Sequence, residues 1–383
     1  MSERKLLMIP GPTNNEPSVL RALSKPTLSH TDTDFAEIYK ETLNDLKKIF
    51  MTNKEVFAIA GSGTLALEMG IANMTEPEDK VLNTVVGFFG RYFVRMSEAH
   101  RVQSRVLEVP WGKCIEPEMV KDALKDGKYK AVTVTHVETS TGVVNPIKEI
   151  GEVVKKYSDA LYIVDTVCSL GGIEVRVDDW NIDVCVSGSQ KCLGVPPGLA
   201  LLSLSERALK FLETRKTPVH FFYGDLKNWL SIMRDPTMYF ATPAVNMIYA
   251  LSEAEKAALN EGLEQRFRRH HVLAEAFRAA MNALNLKIVA DKKCAADTVT
   301  AIHYPENIDD AKFRGEMKKR GVVVAGGLGP LKGKSFRVGH IGNVSQNDIM
   351  CTIGAIEATL RNMGYRFTYG AGSAAAEEKV LSM

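Results

Sequence analysis

No run of apolar residues in the sequence approaches the ~18 that a membrane-spanning helix requires, so no membrane partner is expected. The first ten residues carry charge from Glu3 onward and hold no apolar stretch of signal-peptide length, which makes a cytoplasmic chain the expectation. An excess of one charge is missing as well. Forty-eight Lys and Arg stand against 46 Asp and Glu, and a net charge of +2 offers nucleic acid no general attraction. Cysteine is sparse, with six residues and no CxxC pair, a pattern of reduced thiols and not of a disulfide framework. Histidine shows no zinc spacing: His270 and His271 are adjacent and cannot both face one ion from a helix, so no metal is expected. Twenty-nine Gly and 15 Pro in 383 residues exclude collagen-like and low-complexity chains.

At about 150 residues per domain the length implies two domains, with a core large enough to need no staples. A proline-rich opening, Ile9 to Pro17, precedes a helix expected over 34–50, where Phe35, Ile38, Tyr39, Leu43, Leu46, Ile49 and Phe50 keep a 3.6-residue period and Asp34 and Glu37 are spaced as a capping box. Strands then alternate with helices. Apolar, β-branched runs predict strands at 55–60, 80–86, 102–109, 131–135, 161–164, 183–187 and 199–204, and periodic segments predict helices at 65–74, 89–99, 118–125 and 147–157. Such alternation implies a mostly parallel α/β sheet with helices on both faces, whose ligands sit beyond the carboxyl ends of the strands. After Pro243 the pattern changes. A long helix carries Leu263, Phe267, His270, Ala274, Phe277, Met281 and Leu284 on one stripe. Strands follow at 287–290, 298–303, 321–325 and 335–338, with helices at 310–320 and 348–362, the last capped by Ser345 and Asp348. This reads as a smaller α+β domain, and the tail from Gly370 onward reads as fraying.

Three loops could carry chemistry. Ala60 to Ala66 (AGSGTLA) is a Gly-rich strand-to-helix turn, either a tight turn or a phosphate cradle where unpaired N–H groups meet the positive end of the helix dipole. It fits GxGxxA, but the next strand ends in Val85-Val86-Gly87 with no carboxylate for a ribose, so a single phosphate suits it better than a dinucleotide. Asp165 ends an apolar run and is a helix cap, a turn former or a functional carboxylate at the mouth of the sheet. Lys191 follows a buried strand amid small residues and precedes Pro196-Pro197-Gly198; it either snorkels to the surface or is a functional amine, and the small neighbours leave room for a ligand. Twenty-six residues, about one strand–connection–strand unit, separate Asp165 from Lys191, so both can reach one cavity. An amine, a carboxylate and a phosphate cradle are the parts of a pyridoxal-phosphate site.

With Gly61-Ser62-Gly63-Thr64, Thr139-Ser140-Thr141-Gly142, Asp165 and Ser187-Gly188-Ser189-Gln190-Lys191, the chain resembles the class V pyridoxal-phosphate aminotransferases, and among them the alanine–glyoxylate/serine–pyruvate subgroup. Pro10 to Asn14, Met238 to Thr242, Gly326 to Pro330 and Phe336 to Gly339 match in order, so the likeness spans nearly the whole chain. It implies fold type I, with a mostly parallel seven-stranded sheet in a large domain (16–255), a small α+β domain (256–383) and an N-terminal segment (1–15) that reaches the active site. It also implies transfer of an amino group from serine or alanine to glyoxylate or pyruvate in two steps. Lys191 would form the Schiff base with pyridoxal 5'-phosphate. Ser62, Gly63, Thr64 and Gln190 would hold the phosphate, Thr139 would lie beside the ring, Asp165 on its nitrogen and Val167 against one face. Arg337 would clamp the substrate carboxylate, with Gly11 to Thr13 closing the pocket and Thr139 beside the substrate. Tyr239 and Thr242 would reach the neighbouring site of a homodimer.

One position departs from the subgroup: the ring-stacking residue, often Trp there, is Phe89 here, which offers a smaller face. A phosphoserine or phosphonate aminotransferase would share these motifs. A cysteine desulfurase would need a mobile nucleophilic thiol, but no Cys lies between Lys319 and Arg337, and Cys294 and Cys351 read as inert buried thiols. A non-catalytic nucleotide-binding scaffold could share the sheet but would not require Lys191. Arg91, Arg95 and Arg215 are not assigned to the site, and without a second site arginine the donor is expected to be small.

Overall fold

Seven apolar, β-branched runs form one sheet: β1 Glu55–Ala60, β2 Lys80–Val85, β3 Gln103–Glu108, β4 Ala131–Thr135, β5 Leu161–Asp165, β6 Val184–Gly188 and β7 Leu199–Leu204. They are seen in a computed structural model that describes residues 5–383. The spatial order is β1-β7-β6-β5-β4-β2-β3. Strands β2 to β6 pair in parallel, and β7 runs against both β6 and β1. Every residue of β4, β5, β6 and β7 is buried, whereas β3 at the edge is partly or fully exposed throughout. Helices on both faces explain the difference, since a strand covered twice has no polar side to show.

Boundaries move by a residue or two from those the sequence predicts, and at the site the shifts matter. β5 extends to include Asp165, and β6 ends on Gly188, so the turn carrying Lys191 starts directly at the sheet edge. The helix after β1 begins at Gly63, not Leu65, which places Gly63 and Thr64 in its first turn. The predicted Asp34–Glu37 capping box is absent. The helix spans Thr33–Phe50 with Asp32 as N-cap and no side-chain cap, so Asp34 lies inside the first turn. The Ser345–Asp348 box does form, and it opens the helix Gln346–Asn362.

A second sheet pairs Val299–His303 with Ser335–Gly339 and the latter with Ala325–Gly326, all antiparallel. Its core gathers Phe277 and Met281 of the helix Leu263–Ala283 with Phe313, Phe336 and Ile353. The predicted strand at 287–290 is reduced to a single bridge between Ile288 and Ile302. On the long helix, Leu263 and Phe267 are only half-buried, and Arg266 and His270 take the buried places, because its first turns face the loop after Lys191 through hydrogen bonds. The tail does not fray. Ala371–Leu381 is a helix whose opening N–H groups at Gly370, Gly372 and Ser373 are accepted by the buried carboxylate of Glu357. Small alanines hid its periodicity, and the cap comes from another helix. The N-terminal segment joins this part of the molecule: Leu6–Leu7 pairs with Val322–Val323, and Met8 is buried in the same core.

The six cysteines are unpaired. Cys351, expected as a buried thiol, is exposed, because its position on the helix Gln346–Asn362 faces away from the core. Among the described residues no helix is long and apolar enough to cross a membrane, and no group of three or more His, Cys, Asp or Glu could hold a metal ion.

One buried carboxyl tests the packing of the helix Val245–Glu261. Glu255 is fully buried, and neither of its oxygens has a partner among the described residues. Burial, and then the charge of Asp45, holds its pKa well above the ordinary carboxyl value. A raised folded pKa leaves stability intact in acid and erodes it as pH climbs past the ordinary value. Glu255→Gln is therefore expected to match the parent near pH 4 and to exceed it by about 1–3 kcal/mol at pH 8, read from denaturant unfolding at the two pH values.

Candidate active site

The turn after β1 is built to receive an anion. Ser62 is the extended N-cap of the helix Gly63–Met74, yet its side chain caps nothing, leaving the hydroxyl and the first-turn N–H groups available. Glycine is required at 63, because a Cβ there would stand 2.8 Å from Cγ2 of Val167. A Cβ at Gly188 would stand 3.0 Å from the Gly63 nitrogen, so β6 brings its following loop against this turn. That loop carries Gln190, whose buried Oε1 has no hydrogen-bond partner among the described residues. An orphaned acceptor is costly unless a hydrogen-bond donor reaches it, and only the N–H₂ end of this amide can bind an anion.

Asp165 and Lys191 line the same cavity of about 240 Å³, together with Gly11, Pro12, Gly63, Thr64, Phe89, Thr139, Val167 and Gln190. Asp165 accepts the backbone N–H of Val167 at 2.9 Å and does not pair directly with Lys191, so the two charges bracket the cavity without closing on each other. Burial, and then the nearby charge of Glu138, pushes the Asp165 carboxyl up to about 7, against the pull of the Val167 N–H and of Lys191. Lys191 is fixed at its backbone: its carbonyl accepts from the Thr13 hydroxyl at 2.9 Å and from the Gly194 N–H at 3.0 Å. Gly11 (φ +147°) lies against its side chain, and a Cβ there would meet Lys191 Cδ, Cε and Nζ at 2.6, 2.8 and 2.9 Å.

Arg337 adjoins the cavity. It is 8% exposed, and it donates from Nε to the Gly326 carbonyl at 2.8 Å and from Nη1 to the Thr139 carbonyl at 3.3 Å. No carboxylate pairs with it among the described residues, and its burial lowers its pKa. A buried guanidinium bonded only to carbonyls, with Glu138 near but not paired to it, keeps donors free for an anion. Arg91 and Arg215 are engaged elsewhere, the first with Glu108 and the second with the carbonyls of Ala72, Asn73, Thr75 and Thr217.

The structure thus gathers Gly11, Gly63, Thr64, Phe89, Thr139, Asp165, Val167, Gln190 and Lys191 around one space, with Ser62, Thr13 and Arg337 just behind it. Tyr239 and Thr242 are not brought there; both are exposed, Tyr239 at 63%. Pro12 lines the cavity within the expected Gly11–Thr13 segment, and Leu67, Val137, Cys168 and Pro197 also line it but carry no chemical signal in the sequence. Glu138 was missed despite a signal: a lone carboxylate in an otherwise apolar and hydroxyl-bearing stretch, Val137 to Thr141.

The open helix N-terminus, the Gly63 cradle and the Asp165–Lys191 pair fit pyridoxal phosphate. Comparison with known proteins agrees. Residues 11–332 match the family described as Aminotransferase class-V. The chain is 46% identical to an uncharacterised aminotransferase of Methanocaldococcus jannaschii over 94% of each. It is 35% identical to the serine–glyoxylate aminotransferase of Methylorubrum extorquens, covering 97% of this chain and 95% of that one. The crystal structure of ureidoglycine–glyoxylate aminotransferase from Bacillus subtilis superposes with a TM-score of 0.94 at 34% identity, over 100% of this chain and 99% of that one.

Two substitutions probe this geometry. Asp165→Asn removes a buried carboxyl that resists ionisation below about pH 7. In the cofactor-free chain it is expected to cost no stability, and at pH 8 to add roughly 1–3 kcal/mol, while cofactor affinity falls; unfolding and cofactor titration report the two effects. Gly11→Ala forces Lys191 to move and places a side chain at φ +147°, so it should lower kcat on the order of 10²-fold and lower the melting temperature as well.

Proposed function

The chain belongs to the class V aminotransferases, and on that premise we propose that it moves an amino group from a small amino acid, serine or alanine, to a small 2-oxo acid, glyoxylate or pyruvate. The observation that carries this reading is Arg337, bonded only to carbonyls, beside a cavity lined by both Lys191 and Asp165. Glyoxylate in the names of the Methylorubrum and Bacillus proteins supports the acceptor, and serine in the former supports the donor. The cavity wall supports a donor with a short, uncharged side chain, since Lys191 is its one cationic lining residue among those described.

When bound, pyridoxal phosphate supplies an aldehyde that captures amines and an aromatic ring that draws electrons from the substrate. Lys191 Nζ would be the amine that holds it and the base that takes the proton from the donor's α-carbon. Its fixed carbonyl leaves the side chain as the moving part. Asp165 holds a proton on the ring nitrogen: a cation beside it returns its carboxyl to the anionic form that burial alone disfavours. Arg337 clamps the α-carboxylate, and exclusion of water strengthens that pairing. Ser62, Gly63, Thr64 and Gln190 hold the phosphate, and Phe89 and Val167 keep water from the ring.

We place Tyr239 and Thr242 at the neighbouring site of a homodimer. Their exposure, together with that of Phe222 at 80% and Met238 at 52%, supports an interface there, since apolar surface of this kind is costly in water. Unpaired cysteines support a reducing, cytoplasmic setting.

A panel of amino donors and 2-oxo acceptors, run on the purified chain and on Lys191→Ala, checks the assignment. Activity is expected with serine or alanine and glyoxylate or pyruvate, and Lys191→Ala should lose on the order of 10²–10⁴-fold or more. Turnover confined to dicarboxylic donors would remove the small-substrate assignment, and undiminished turnover by Lys191→Ala would remove the role of the lysine.

A further inference from the structure

Glu138 is fully buried one residue before Thr139, and its carboxylate spends both oxygens on a single task. Oε2 accepts the backbone N–H groups of Phe89 at 2.9 Å and Gly90 at 3.0 Å, the latter at the start of the helix Gly90–Ala99. Oε1 accepts the N–H of Ser140 at 3.0 Å and its hydroxyl at 2.6 Å, and the Ser140 oxygen in turn accepts the N–H of Phe88 at 3.0 Å. A Cβ at Gly87 would stand 2.5 Å from Glu138 Cγ and from Ser140 Oγ, so the loop of Phe88 and Phe89 is drawn against the carboxylate as far as backbone allows. Two loops that leave different strands, β2 and β4, are clipped together at this point. One presents Phe89 to the cavity and the other presents Thr139, whose carbonyl also accepts from Arg337.

From this geometry we propose that Glu138 is a positioning residue for the cofactor: it sets the distance and tilt of Phe89 relative to Thr139 and, through the Thr139 carbonyl, the seat of Arg337. The inference rests on the aminotransferase reading and goes beyond it. A buried charge-bearing group with four donors is an expensive way to join two loops, and an apolar contact would join them without orienting either. Directional bonds to the Phe89 N–H fix where the ring lies. This matters more for phenylalanine, whose small face must be held in register to cover the cofactor.

The experiment compares the parent with Glu138→Gln, which keeps the shape but places an N–H₂ group against N–H donors. A matched control is Glu357→Gln, which alters another buried carboxylate capping backbone N–H groups away from the cavity. Pyridoxal phosphate is titrated by absorbance, its visible circular dichroism is recorded, and melting temperatures are taken. Glu138→Gln is expected to bind the cofactor about tenfold to a hundredfold more weakly and to change the dichroic band, since that band reports ring orientation. Glu357→Gln should lose melting temperature and keep both cofactor readouts. Parent-like affinity and dichroism in Glu138→Gln would overturn the proposal. If Glu138→Gln does not fold, Ser140→Ala decides, with several-fold weaker binding and an altered band expected; a parent-like result overturns. A parent chain that takes up no cofactor instead overturns the aminotransferase reading itself.

Discussion

A carboxylate withheld from water at the end of β5 sets the terms for everything around it. In the ligand-free chain Asp165 is buried, accepts the Val167 N–H and is not neutralised by Lys191, so its ionised form is disfavoured until a cation stands beside it. The parallel strands make this possible. Their carboxyl ends open into the loops that carry Ser62, Thr139, Val167 and Lys191, and the covering helices keep water from the strands themselves.

Unsatisfied polarity is concentrated in the same place. Gln190 lacks a partner for its amide oxygen, Arg337 has only carbonyls, and the helix at Gly63 opens without a side-chain cap. Each costs stability in isolation, and the open helix N-terminus and Arg337 both offer donors to an anionic ligand. Glu255 makes the contrast clear. It is as poorly partnered, but it is fully buried and does not line the cavity of Lys191, so its burden is a matter of stability and not of binding there.

The site is also a meeting of remote segments. Leu6–Leu7 is anchored on Val322–Val323, and the chain from there crosses to Thr13, whose hydroxyl and N–H bind the loop of Gln190 and Lys191. The long helix adds Arg266, which reaches the carbonyls of Gly171, in the loop after β5, and of Cys192, next to Lys191.

Periodicity and composition determined much on their own. The seven strands, the change of pattern after Pro243 and the pairing of Asp165 with Lys191 in one cavity all follow from local residue choice, because strand burial and strand-terminal chemistry are written in contiguous residues. Likeness to a known family added Arg337 and Phe89, which no local rule marks. What only the folded chain decided depends on partners far away in sequence. The helix made of the tail by Glu357, the exposure of Cys351 and the clip formed by Glu138 are of this kind. The reason is physical: a hydrogen bond or a buried face belongs to two segments at once, and a sequence window contains only one of them.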